Sequence, residues 1–265
     1  MKHNSKSVIL IALISIINLS CFASEKLLHL EFETDYYEYN VIGRVEGFNP
    51  EDVWDGTDGT LHQYGCLTLP KKINGNDITL LREELLKIGQ VEIDKFGNFY
   101  PIMYENARIT NLNPQKADPS FQYINDLNID YLNGKIIVWE DYYYLYSGGA
   151  HGLGGHVYLN YSVLLNKILT LSDILKPGFE KKLNKLIQAD LKNNHEEELF
   201  NPEAIGEIEY PDNFRITPDG LEFIYAPYDI APYSSGEIRV PIYIYELTEN
   251  DLLNPGAMVR FFPPM

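Results

Sequence analysis

Residues 128–162, NIDYLNGKIIVWEDYYYLYSGGAHGLGGHVYLNYS, form the stretch that decides the fold. Asn133-Gly134 lies between two apolar runs, which favours a type I′ turn and a β-hairpin. The second strand of this hairpin is predicted to continue through Trp139 into the run of tyrosines. A turn follows, and we expect its five glycines to adopt backbone angles that other residues avoid. A further strand is then predicted over residues 156–165.

Outside this stretch, short strands alternate with few helices. Helices are predicted over residues 78–89 and 179–198, where leucine and isoleucine recur at helical spacing. Residues 214–225 are predicted to form a hairpin around Pro218-Asp219-Gly220, and residues 238–247 a strand. This pattern predicts an α+β fold in which antiparallel sheets pack against a few helices.

The first 23 residues are predicted to be a signal peptide. Lys2 and Lys6 precede an apolar run over residues 8–17, which is shorter than the roughly 20 residues that a transmembrane helix needs. Two processing routes remain open. The chain is either cleaved after Ala23 or lipidated at Cys21, whose surroundings resemble a bacterial lipobox.

The remaining chain is expected to form two small α+β domains in close contact. The first is predicted over residues 24–165 and ends with the Gly-Gly-Ala-His-Gly turn. The second is predicted over residues 166–265 and contains the long helix with antiparallel strands. About 240 residues are enough for one large domain or two small ones.

The charge balance is strongly acidic. Without residues 1–23 the chain has 19 basic and 38 acidic residues, which gives a formal net charge of −19. Such a surface repels phosphate backbones, so nucleic-acid binding is not expected. It would attract a basic partner and accelerate encounter with it. Cys66 is the only cysteine after the signal peptide, so a Cys-based metal site and an intrachain disulfide are excluded.

The glycine-rich turn has three interpretations. A phosphate loop is not supported, because no Lys and Ser or Thr follow the last glycine and no helix is predicted after it. A metal site would need a third ligand beside His151 and His156, such as His62, Glu140 or Asp141. The third interpretation is a structural turn at the end of a tyrosine-rich strand, and a binding surface is compatible with it. The sequence contains no Gly-x-Ser-x-Gly elbow, so nucleophilic catalysis has no support from this motif.

Four blocks of the chain together match a known pattern. They are YSGGAHG at 146–152, LTLSDIL at 169–175, ITPDGLEF at 216–223 and PYDIAPYSSG at 227–236. In this order they resemble the extracytoplasmic module shared by the RsiV-type lysozyme-sensing anti-sigma factor and the PdaC-type peptidoglycan deacetylase. The resemblance covers residues 125–247.

This resemblance implies a pair of mixed α+β domains of unknown function outside the cytoplasm. In the anti-sigma factor the module binds lysozyme, and in the deacetylase the chemistry belongs to an additional metal-dependent domain. The motifs of that catalytic domain are not found here. The resemblance therefore implies a binding module that needs no cofactor.

We expect a secreted or envelope-anchored, non-enzymatic binding module for a protein, such as lysozyme, or for a cell-wall glycan. The candidate binding residues are Tyr142, Tyr143, Tyr144, Tyr146, His151, Tyr228 and Tyr233. Contact with a membrane is expected only through a lipid on Cys21. The alternative is an envelope hydrolase or deacetylase that uses His151 and His156 with a carboxylate or a metal ion.

Overall fold

The computed structural model describes residues 30–45, 60–93, 99–101, 107–108, 121–146 and 150–262. The predicted signal peptide with Cys21, and residues 147–149 of the glycine-rich turn, lie outside these ranges. No helix in the described ranges is long and apolar enough to cross a membrane.

The described residues form strands and short helices in a mixed order. The strands are β1 (Phe32–Val45), β2 (Thr60–Ile73), β3 (Val91–Ile93), β4 (Phe99–Pro101), β5 (Ala107–Arg108), β6 (Phe121–Leu132), β7 (Ile136–Tyr146), β8 (Leu153–Ser162), β9 (Lys167–Ile168), β10 (Phe214–Thr217), β11 (Gly220–Tyr225) and β12 (Ile238–Tyr243). The α-helices are α1 (Thr79–Ile88), α2 (Leu171–Ile174), α3 (Glu180–Asn194), α4 (Ile244–Glu249) and α5 (Ala257–Phe261). The predicted α+β class is confirmed.

Three sheets organise these strands. A seven-stranded sheet has the order β5-β1-β2-β6-β7-β8-β9, β10-β11-β12 form a second sheet, and β3 pairs with β4. One pair departs from the predicted antiparallel arrangement, because β2 and β6 are parallel. The chain between them includes α1 and β3 to β5, which is long enough for the crossover that parallel strands need.

Strand β7 lies between two hydrophobic clusters. Ile136 and Val138 belong to a cluster with α3 and the three-stranded sheet, whereas Ile137 and Trp139 belong to a cluster with α1. All four side chains are fully buried. The continuous apolar run that was predicted as a hairpin strand is therefore explained by burial of both its faces. The C-terminal elements cover one face of the seven-stranded sheet beside this run.

Some predicted boundaries are confirmed and others are wrong. The hairpin over residues 214–225 is confirmed as β10 and β11. The strand predicted from residue 156 begins earlier, at Leu153, because Gly154 and Gly155 pair with β7. The strand predicted over 238–247 ends at Tyr243, whose backbone N–H donates to the Glu246 carboxylate and so begins α4. The predicted division of the chain at residue 165 stays a prediction.

Candidate functional site

Three of the predicted tyrosines, Tyr142, Tyr144 and Tyr146, share one face of β7, and Tyr143 lies on the other. Tyr142 is paired with His156 of β8, and their rings are 5.2 Å apart. Tyr144 is paired with Gly154 and leaves the sheet on the same face, since side chains alternate along a strand. Tyr143 leaves on the opposite face. Tyr146 ends β7 opposite Gln122 and is partly exposed.

Two glycines, one just before β8 and one within it, make room for the tyrosines of β7. A Cβ atom on Gly152 would lie 2.5 Å from the Leu145 carbonyl oxygen and 2.5 Å from Cζ of Tyr144. A Cβ atom on Gly154 would lie 2.9 Å from the Tyr143 carbonyl oxygen. Neither glycine has a positive φ. The prediction that unusual backbone angles require these two glycines is therefore wrong, and close approach of the Tyr144 ring and of the β7 backbone requires them instead.

Three of the candidate residues form an aromatic cluster, which we define as His151, Tyr228 and Tyr233. The His151 ring stacks on Tyr233 at 4.0 Å with an interplanar angle of 16°, and Tyr228 stacks on Tyr233 at 5.8 Å. Tyr228 is 50% exposed. Residues about 80 positions apart thus form one surface. Tyr142 lies beside this cluster, close enough to Tyr233 for an electrostatic interaction.

Tyr228 has an unusual backbone conformation. Its φ is +77°, in the left-handed region that large side chains avoid. The surrounding loop holds this conformation through two backbone hydrogen bonds, from Tyr228 N–H to Ala231 and from Asp229 N–H to Ala226. The Asp229 carboxylate accepts a third from Ala226 N–H at 2.8 Å. The loop therefore directs an incompletely buried ring towards His151.

His156 belongs to a polar network that joins β8 to the C-terminal sheet. Its Nδ1 lies 3.0 Å from Oε2 of Glu237 and 3.1 Å from Nη2 of Arg239. Arg239 also donates to the Tyr158 hydroxyl at 3.0 Å. Burial acts to raise the pKa of Glu237, but hydrogen bonds from His156 and Arg239 outweigh it and lower that pKa.

The edge of β8 is covered by side chains and not by another long strand. The His156 N–H donates to Glu237. The Asn213 side chain accepts from the Tyr158 N–H at 3.0 Å and donates to the His156 carbonyl at 2.7 Å. Asn213 thereby makes the two hydrogen bonds that a neighbouring peptide group would make. These contacts give His156 a structural role.

The two histidines have different partners. His151 contacts the two tyrosines of the aromatic cluster and the carbonyl oxygen of Gly152, whereas His156 contacts Glu237 and Arg239. Among the described residues, no group of three or more His, Cys, Asp or Glu is placed to hold a metal ion. The suggested third ligands also lie in separate places. Nε2 of His62 lies 2.8 Å from the amide oxygen of Asn40, and Asp141 is buried beneath the opposite face.

Several residues of this region were not predicted. Glu237, Arg239 and Asn213 hold β8, and Tyr64 joins Tyr142 on the same sheet face. Glu237 directly follows the block at 227–236, which is the one signal in the sequence that pointed towards it. The others are recruited by strand pairing over long distances, which leaves no local pattern.

Comparison with known proteins finds a family match for part of the chain. Residues 172–245 match the family described as "Protein of unknown function (DUF3298)". The expectation of a domain of unknown function in this part of the chain is thereby confirmed. No curated protein matches the chain.

Two crystal structures of DUF3298 family proteins have a similar fold. The protein from Pseudomonas aeruginosa PAO1 is 18% identical with a TM-score of 0.55, and the match covers 87% of this chain and 97% of that chain. The protein from Bacteroides fragilis NCTC 9343 is 18% identical with a TM-score of 0.57, and the match covers 89% of this chain and 98% of that chain. Both likenesses extend beyond the family match and show the fold.

Proposed function

We propose that this protein is a non-enzymatic binding module outside the cytoplasm, which recognises a cell-wall-related protein or a cell-wall glycan. Export would follow from the predicted signal peptide, with either cleavage after Ala23 or lipidation of Cys21. The resemblance of residues 125–247 to the RsiV/PdaC-type module supports this role. No cofactor is needed for it.

The observation that carries the proposal is the conformation and exposure of Tyr228. A left-handed conformation costs a non-glycine residue roughly 1–2 kcal/mol. The side chain at this position nevertheless stays half exposed. Backbone strain of this kind concentrates at functional sites. Tyrosine is one of the residue types that contribute most to binding energy at protein interfaces.

Carboxylates lie near these rings and favour a basic partner. Asp126 interacts electrostatically with Tyr142, and the Asp229 carboxylate lies in the loop that carries Tyr228. A partner with positive charge would be steered towards this surface, and salt would slow its association. Lysozyme is a basic protein and is therefore a suitable defined challenger.

The alternative proposal is an envelope hydrolase or deacetylase. The pairing of His156 with Glu237 at 3.0 Å favours it, because a histidine oriented by a carboxylate is a common acid–base arrangement. Arg239, however, occupies the same Nδ1 atom, and His151 lies in a different cluster. These contacts make the binding module the better-supported function.

The test is a direct binding measurement with purified lysozyme and with purified peptidoglycan. We expect the wild-type protein to bind one of them. Each of the single variants Tyr142→Ala and Tyr233→Ala should lose about 1–2 kcal/mol of binding free energy. Tyr245→Ala is the matched control, because Tyr245 is 59% exposed and stacks on Tyr243, apart from the aromatic cluster. Circular dichroism and thermal melting would confirm that each variant is folded.

Tyr228→Asn separates function from stability. Asparagine tolerates the left-handed conformation better than tyrosine, so thermal stability should remain within about 0.5 kcal/mol of wild type while binding weakens. Unchanged binding in Tyr142→Ala, Tyr233→Ala and Tyr228→Asn would refute the assignment of these rings to the binding surface. Release of acetate or reducing ends from peptidoglycan, abolished by His156→Ala, would favour the enzyme instead.

A further inference from the structure

The sheet face that carries Tyr142 and Tyr144 extends well beyond the candidate tyrosines. Strand pairing places five residues side by side in one row across β1, β2, β6, β7 and β8: Glu38, Cys66, Asp126, Tyr142 and His156. With strands about 4.8 Å apart, the row is about 19 Å long. It connects the aromatic cluster to the far side of the seven-stranded sheet.

A second row runs parallel to the first on the same face. It consists of Asn40, Tyr64, Ile124, Tyr144 and Gly154, each paired with the next. The two rows together are called the open face below. Each of their residues is partly or fully exposed, and none belongs to either hydrophobic cluster.

The opposite face of the same strands differs sharply. Leu67, Leu127 and Trp139 are fully buried there in the cluster with α1. The C-terminal elements cover the open-face side at Ile136, Val138 and Tyr158, and Glu237 and Arg239 contact His156, the last residue of the first row. A large polar and aromatic area of sheet is thereby left without a partner among the described elements.

The charged side chains of the two rows have one sign. Glu38 and Asp126 are acidic, and neither row contains a lysine or an arginine. Arg239 lies against His156 at the end of the first row, and its charge is paired with Glu237. A polyanion would be repelled. A neutral ligand would cover these carboxylates without compensating their charge, which is unfavourable. A ligand that brings positive charge would pair with them, and its cationic groups could also lie over the faces of Tyr64 and Tyr142.

We infer that the open face binds a cationic polypeptide, laid across the strands from Glu38 and Asn40 towards the aromatic cluster. This inference rests on the proposed binding function and specifies its partner. The Tyr64 ring is restricted in orientation because it packs against His62 at 4.8 Å, and His62 in turn is hydrogen-bonded to Asn40. Tyr142 links the first row to the aromatic cluster, because it lies close enough to Tyr233 for an electrostatic interaction.

The test uses short poly-L-lysine as the probe, with poly-L-glutamate and chitohexaose as counter-probes. We expect poly-L-lysine to bind with an affinity that falls as salt rises, and the counter-probes not to bind. The double variant Glu38→Gln/Asp126→Asn should weaken poly-L-lysine binding by roughly tenfold, since each exposed ion pair contributes up to about a factor of five. Tyr64→Ala should weaken it further.

Matched controls remove the same groups elsewhere. Glu196→Gln/Glu197→Gln makes the same change in net charge at two exposed positions after α3, and Tyr245→Ala removes a tyrosine that is more exposed than Tyr64. Both controls should bind poly-L-lysine almost as wild type does. Equal weakening by the open-face and control variants would show diffuse electrostatic attraction and overturn the inference.

The outcomes also separate this inference from the proposed function. Chitohexaose binding that is lost in Tyr64→Ala, without poly-L-lysine binding, would identify a glycan surface and overturn the cationic partner. If the partner found in the lysozyme and peptidoglycan assay needs Tyr233 but not Glu38, Asp126 or Tyr64, the open face is not its binding site, and the binding function stands. If it needs none of these residues, both proposals fail.

Discussion

The buried carboxyl group of Asp141 should make the free energy of unfolding fall as pH rises from about 5 to 7. Its side chain is 1% exposed on the α1 side of β7. The Asn125 amide donates to its Oδ1, and Asn125 in turn accepts from the Tyr39 hydroxyl at 3.1 Å. Its Oδ2 is buried without a hydrogen-bond partner among the described residues. Burial is the main cause that raises the pKa of Asp141 to about 8, and the nearby charges of Asp126 and Glu140 act in the same direction.

The sign of the effect follows from proton binding. In the unfolded chain an aspartate has a pKa of about 3.9. Between about pH 4 and pH 8 the folded state therefore holds one more proton than the unfolded state at Asp141, and stability falls as pH rises. The slope is about 1.4 kcal/mol per pH unit, so the free energy of unfolding should lose about 3 kcal/mol between pH 5 and pH 7 from this group alone.

The variant Asp141→Asn tests this reasoning, because it keeps an acceptor for Asn125 and does not titrate. Urea unfolding at pH 5 and pH 7 gives the free energy of unfolding for both proteins. We expect the wild type to lose about 3 kcal/mol more than the variant over this interval. Glu196→Gln controls for the removal of one negative charge. Parallel pH profiles for wild type and Asp141→Asn would refute the assignment of a buried, protonated carboxyl group.

Two further predictions concern the strands of the site. Gly152→Ala should destabilise the protein by about 2 kcal/mol in thermal melting, because the new Cβ meets backbone and ring atoms, whereas Gly206→Ala, which meets nothing within 4 Å, should be nearly neutral. Equal melting temperatures for the two variants would contradict the close approach. Asn213→Ala should cost about 2 kcal/mol by leaving two backbone groups of β8 unpaired, and faster amide hydrogen exchange at Tyr158 would confirm the location. Unchanged exchange would show that the edge does not depend on Asn213.

The predictable part of this fold is the part encoded by neighbouring residues. The Asn-Gly and Pro-Asp-Gly hairpins and the helix over α3 follow from turn chemistry and spacing within a dozen positions. The parallel pair of β2 and β6 was not predictable in this way. It depends on a crossover of some 50 residues, and residues 60–73 carried no predicted element. Gly65 permits this pair, because a Cβ atom added at this position would lie 1.7 Å from the Asn125 carbonyl oxygen.

The candidate site shows the same limit. His151, Tyr228 and Tyr233 were selected separately, from a motif and from a resemblance, and the structure brings them together. No signal in the sequence marked Glu38, Asn40 and Tyr64 as site residues. An open-face residue differs from other strand residues only in its neighbours on adjacent strands. The sequence shows alternation along a strand but not the order of strands, and that order creates both rows.

The pairing of a tyrosine-rich strand with a glycine-rich strand has a physical reason that alternation alone does not supply. Tyr144 lies over Gly152 and Gly154, so its ring packs on the backbone of β8 where a side chain would otherwise displace it. Such packing restricts the ring before any ligand arrives, and less side-chain entropy is then lost on binding. If the glycines served only the turn, Gly154→Ala would change stability without changing affinity. Because they position a ring of the open face, we expect that variant to weaken poly-L-lysine binding even at a temperature where it is fully folded.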